Sequence, residues 1–164
     1  SLILANNIRG ILFLQNKLEE AKMHTLKQIE IIKNHYGELH WRTASEISSL
    51  GNSYLVSGEP QKSYQHYSRS FQIYDEVLGE NHPWTIVALI NEELSALLIE
   101  NGSVQTRFYT AYDKLEQLIS NGNFSTSAYS NLNASLNRFR EYSTSDISEE
   151  LDRINDLLSQ DSES

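Results

Sequence analysis

Apolar residues recur along this chain three and four positions apart, the spacing that gathers them on one face of an α-helix. Ile47, Leu50 and Tyr54 share one such face, and Gly51 stands where a side chain would hold a partner helix away. Ser63, Tyr67 and Ser70, followed by Phe71 and Tyr74, form a matching face on the next helix, small residues alternating with large ones as ridges and grooves require. Helix-breaking residues near Asn16-Lys17, at Gly58-Glu59-Pro60 and near Asn101-Gly102 divide the first part of the chain into helical hairpins. After Asn121-Gly122-Asn123, Tyr129, Leu132, Leu136 and Phe139 keep helical spacing, as do Ile147, Leu151, Ile154 and Leu158, which predicts two further helices.

The hairpins repeat. A shift of 42 residues sets Tyr36-Gly37-Glu38-Leu39-His40-Trp41-Arg42-Thr43 on Leu78-Gly79-Glu80-Asn81-His82-Pro83-Trp84-Thr85, so that Gly, Glu, His and Thr coincide. A fixed period of this size marks a solenoid, in which each unit buries its apolar face by stacking on the next. Gly37 and Gly79 follow helical runs where a left-handed cap is expected, and Thr43 and Thr85 precede the next runs. Thr43-Ala44-Ser45-Glu46 reads as a capping box, and Pro83 bars helix continuation through the loop before it.

A large residue, then Leu-Gly, then Tyr, then spaced small residues is the tetratricopeptide pattern, met here by Ile47, Leu50-Gly51, Tyr54, Ser63 and Ser70. With the string from Leu78 to Thr85 and Asn6-Asn7-Ile8, the chain resembles the 42-residue variant of that repeat found in kinesin light chains and many bacterial proteins. The resemblance implies an all-α fold, a right-handed α-solenoid of antiparallel helix pairs. Three repeats are expected, at 1–42, 43–84 and 85–119, then a helical cap over 124–159 that closes the solenoid against water and a disordered tail over 160–164. The departures are Arg9 and Gln28 at positions of small residues in the first repeat, and Arg107 and Lys114 in the third. The first helix begins almost at Ser1 without a cap, as a segment of a longer protein would.

Charge narrows the partners. Of the net charge of −9, residues 141–164 contribute −7, from eight acids against Arg153. No cluster of Lys and Arg suggests a phosphate-binding surface, so a nucleic-acid partner is not expected. The apolar runs are too short to span a bilayer, and the absence of cysteine gives no sign of an oxidising compartment, so the cytoplasm is the expected location.

Five histidines, at 24, 35, 40, 66 and 82, form no ligand set at metal-site spacing, and His40 and His82 recur with the loops. No phosphate cradle or nucleophile motif is present, so no cofactor, metal or catalytic residue is expected. The resemblance places function on an inner groove lined by the first helices of successive repeats. Its inward positions would be Asn6, Gly10, Phe13 and Leu14, then Ser48, Asn52, Leu55 and Val56, then Glu92, Ala96 and Ile99. The expected role is a scaffold or adaptor receiving a peptide segment, with Asn52 bonding its backbone and a basic residue near Glu92, Glu93 and Glu100. Some relatives grip a terminal carboxylate with inward Lys and Asn, but no inward Lys is found here. The alternative is a regulatory or oligomerising part of a larger enzyme, bacterial sensor or effector; neither reading fixes the oligomeric state.

Overall fold

The computed structural model describes residues 2–99, 105–143 and 146–161, and the described residues form eight α-helices. They are α1 (Leu2–Leu14), α2 (Leu18–Tyr36), α3 (Trp41–Val56), α4 (Pro60–Leu78), α5 (Pro83–Leu97), α6 (Gln105–Ser120), α7 (Thr126–Tyr142) and α8 (Ser148–Asp161). From α1 to α6 each helix packs on its neighbours in sequence, as an α-helical repeat requires. The break expected at Asn101-Gly102 lies outside the described residues. α8 runs on through Gln160 and Asp161, so the helix takes in the first two residues of the segment expected to be disordered.

Two kinds of turn punctuate the chain. Within the hairpins, α1 and α3 end on left-handed residues, Asn16 (φ 56°) and Gly58 (φ 73°). The amides of Lys17 and Glu59 then bond back to Leu12 and Tyr54, which satisfies carbonyls the helix ends would orphan. Between hairpins, Gly37 (φ 91°, ψ 171°) and Gly79 (φ 86°, ψ 159°) adopt an extended positive-φ conformation that only glycine tolerates, rather than the expected left-handed cap. The chain then runs straight into a capping histidine. His40 Nδ1 accepts from the amide of Arg42 (3.1 Å) and His82 Nδ1 from that of Trp84 (3.2 Å). The capping box therefore is not formed: Thr43 sits inside α3 and donates to the Gly37 carbonyl (2.8 Å), while Glu46 is buried and turned to Arg9.

α3 and α4 show what the small residues accomplish. The hydroxyl of Ser63 donates to Gly51 O (3.0 Å), and that of Ser70, two turns on, donates to Ala44 O (2.8 Å), two turns back. The two bonds fix an antiparallel register. Between them the ring of Tyr67 lies against Gly51, where an added Cβ would come within 3.0 Å of it.

The C-terminal helices occupy the span expected of a helical cap, and α7 also reaches inward. α7 turns back along α5 and reaches α3, with α8 packed on α6 and α7. The stripe Ala128, Leu132, Leu136 and Phe139 of α7 joins Val87, Ile90 and Leu94 of α5 in one apolar core, which α8 closes with Leu151, Ile154 and Leu158. α7 thus narrows the concave side, lying against α5 and α3 beside Ser48 and Asn52 of the positions assigned to an inner groove. The reason is in α5, where the unbroken apolar run from Ile86 to Ile90 presents apolar surface all round and so demands cover beyond α4 and α6.

Candidate functional site

With α7 in place, the concave face narrows to a groove between α1, α3 and α7, about 430 Å³ in volume. Gly10 and Phe13 of α1 form one wall, Asn52 and Val56 of α3 the floor, and Asn131 and Tyr142 of α7 the other wall. Ser48 and Asn52 also line a polar recess of about 70 Å³ that continues the groove beneath α7, between α3 and α5. The structure therefore brings Gly10, Phe13, Ser48, Asn52 and Val56 together.

The other expected groove residues lie elsewhere. Leu55 is only 2% exposed and belongs to the main core. Glu92 and Ala96 are also buried, so the inner face at α5 is not open to a partner. Glu92 and Glu93 are turned to Arg107 of α6, at 3.9 and 2.7 Å. A basic partner residue at this point would find both carboxylates occupied, and Glu100 lies outside the described residues. Leu14 is 90% exposed at the end of α1, and Ile99, just beyond α5, is half-buried. Asn6 falls on α1, but its side chain is outside the described residues.

Polar groups that the sequence did not assign to the groove also shape the site. Arg9 is buried at the edge of the groove, where its guanidinium donates to Glu46 Oε2 (2.9 Å) and to Thr25 Oγ1 (3.4 Å). The unusual residue of the first repeat is thus the bolt between α1, α2 and α3. Tyr67 reaches through from α4, and its hydroxyl donates to Asn52 Oδ1 (2.6 Å), which leaves the Asn52 amide nitrogen to donate. Burial pushes the Tyr67 phenol up to about 12, although the nearby guanidinium of Arg138 favours its ionised form. Asn91 of α5 lines the recess, and its Oδ1 is buried and without a hydrogen-bond partner among the described residues.

Arg138 and Asn131 were missed because nothing in the repeat pattern marks α7 as part of the inner face. The usable signal was the unbroken apolar run of α5 from Ile86 to Ile90, which already asked for a further helix. Among the described residues no three His, Asp or Glu side chains come together as a metal site would need, and no helix is long and apolar enough to cross a membrane. No protein-family model matches the chain, and a comparison with curated proteins finds no relative.

Proposed function

We propose that this chain is a tetratricopeptide-type interaction module that holds an extended segment of a partner protein in the groove between α1, α3 and α7. The observation that carries the reading is the lining of that groove. Phe13 and Val56 present apolar surface beside the amides of Asn52 and Asn131, the combination an extended peptide needs for side-chain anchoring and main-chain hydrogen bonds. Its volume of about 430 Å³ is within the range of ligand-binding clefts. The 42-residue offset, the stacking of α1 to α6 and the Gly51–Tyr67 approach support the family assignment.

A peptide-display selection on the purified protein, followed by titration of the recovered sequence, tests the reading. The double variant Phe13→Ser/Val56→Ser should weaken binding by about 2 kcal/mol, because such apolar anchors carry most of an interface's energy. Leu55 is unsuitable for this test, since its replacement would open the core. Full-strength binding by a double variant whose circular dichroism matches wild type would move the site off this groove.

A further inference from the structure

The recess beneath α7 contains two polar groups that the fold leaves incompletely paired. The first is Arg138. Of the thirteen lysines and arginines, ten have a carboxylate within ion-pair distance among the described residues: Arg9, Lys17, Lys22, Lys33, Lys62, Arg69, and then Arg107, Lys114, Arg140 and Arg153. Of the other three, Lys27 is exposed on α2, and Arg42 lies over the rings of Tyr36 and Trp41. Arg138 is half-buried and turned into the recess, beside the hydroxyl of Tyr67. In a chain of net charge −9, a partly desolvated guanidinium without a carboxylate is a place where a bound anion gains most.

The second group is Asn91. It is 3% exposed, lines the same recess, and its Oδ1 has no donor among the described residues. An amide oxygen so placed asks for an N–H or O–H from whatever fills the space. Ser48 and the Asn52 amide add further polar contacts, and Val87 and Ala88 offer a small apolar surface. A ligand that satisfies the whole set needs a negative oxygen for Arg138, a donor for Asn91 and little bulk.

We infer that this recess binds a small carboxylate carrying its own neighbouring hydrogen-bond donor, an amino or hydroxy acid no larger than one residue. The site depends on α7, which supplies the cation, so it is not one that the repeat helices could build alone. The inference rests on the groove above being open to ligands, since the groove is the way in. The same chemistry is available from a free acid or from the end of a protein chain, and the recess is small enough that the free acid is the natural occupant.

Nuclear magnetic resonance titration of the labelled full chain tests this with three matched probes: L-lactate, lactamide, which keeps the donor and loses the charge, and propionate, which keeps the charge and loses the donor. Lactate should give saturable shifts at Asn91, Arg138 and Ser48, and both analogues should bind at least about tenfold more weakly, as a site with buried polar groups discriminates. Arg138→Gln should lose lactate binding, while Arg140→Gln, an exposed arginine of the same helix, should keep it. Asn91→Leu should erase the preference for lactate over propionate. A hexapeptide ending in alanine with a free carboxyl supplies the second source: tighter binding than lactate with the same need for Arg138 would make a chain end the carrier of this carboxylate, and weaker binding the free acid. Lactate binding by Arg138→Gln at wild-type strength, shifts that map elsewhere, or no saturable shift with any probe would overturn the inference and leave the recess to water. The partner reading is decided by other residues, Phe13 and Val56, and by other ligands, so the two can fail separately.

Discussion

The two ends of the molecule are held together by different chemistry. Where the first hairpin meets the second, the buried groups are largely polar: Arg9 and Glu46 form an ion pair with both side chains covered, Thr25 joins it, and Lys22 reaches Glu59 across the interface. Only Ala21 and Ile32 are fully buried apolar residues of α2, while Ile11, Leu14, Met23 and Ile31 remain exposed. From α5 onward the reverse holds. Phe108, Leu115, Leu132, Leu136, Phe139 and Ile154 have no exposed surface at all and belong to one core. Apolar burial is insensitive to pH and salt and needs no exact pairing, whereas a buried ion pair contributes only while both partners are present. The C-terminal half is therefore the foundation, and the first hairpin is an attachment whose strength depends on a few specific bonds.

The comparison is broken most directly by truncating one side chain on each side. Phe139→Ala removes a wholly buried ring that packs 5.9 Å from Tyr67 and should cost about 3–5 kcal/mol, by lost transfer energy and by the cavity left behind. Urea unfolding at low and high salt should give the same loss. Glu46→Leu strands the buried Arg9 guanidinium and should cost about 3 kcal/mol or more, yet adding Arg9→Met should recover most of it, because the pair is replaced by packing rather than broken. Strict additivity of the two variants in a double-mutant cycle would show that the bolt is not an interacting pair.

A third change probes the hinge between the two regions. Gly51→Leu drives a side chain into the Tyr67 ring, which is already within 3.0 Å of the added Cβ position, and should cost roughly 1–3 kcal/mol. Because Tyr67 leads on to Asn52 and Phe139, the change should also shift the resonances of α7. An unchanged melting temperature with an undisturbed α7 would mean that α3 and α4 are not in this register.

What could be read from the sequence follows the range of the interactions. Gly37, Gly58, Gly79 and Pro60 act on their own neighbours, and the helix ends they predict are where the structure has them, whereas α3 and α5 start at Trp41 and Pro83, two residues before the threonines expected to precede them. Gly51 was legible because its repeat context defines what it faces. The position of α7 was not, since a stripe such as Leu132, Leu136 and Phe139 tells that a face is covered and not by which helix. Leu55 shows the same gap: its spacing suits an inner face, but it is buried in a core that draws in residues more than 80 positions away, such as Phe139. Glu46 fits a local capping pattern, yet its partner Arg9 is 37 residues distant and buried with it, so desolvation and charge pairing outweighed the cap. His40 and His82 take the capping role instead, each accepting through Nδ1 from the amide two residues on, Arg42 and Trp84.

The smallest expected effect is also the most selective. Lys62 and then Lys22 hydrogen-bond Glu59 and hold its carboxyl below the usual value of 4.5. Burial alone would lower Lys22, but its bonds to Glu19 and Glu59 outweigh that and raise it above 10.5. For Glu59 the folded value lies below the unfolded one, so its contribution is full above pH 4.5 and is lost as the pH falls through the folded value. For Lys22 the folded value lies above the unfolded one, so the same bridge is intact below pH 10.5 and is lost as the pH rises through the folded value. Both limbs act on the contact between α2 and the α3–α4 turn and leave the core around α5 alone. Hydrogen exchange corrected for intrinsic rates should therefore show α2 losing protection as the pH falls below 4.5 while α7 keeps it, since acid opens the paired carboxylates first. Glu59→Gln should lower α2 protection slightly at neutral pH and flatten its acid limb. Simultaneous loss of protection in α2 and α7 would mean that the two ends unfold as one unit, and the distinction between foundation and attachment would not survive.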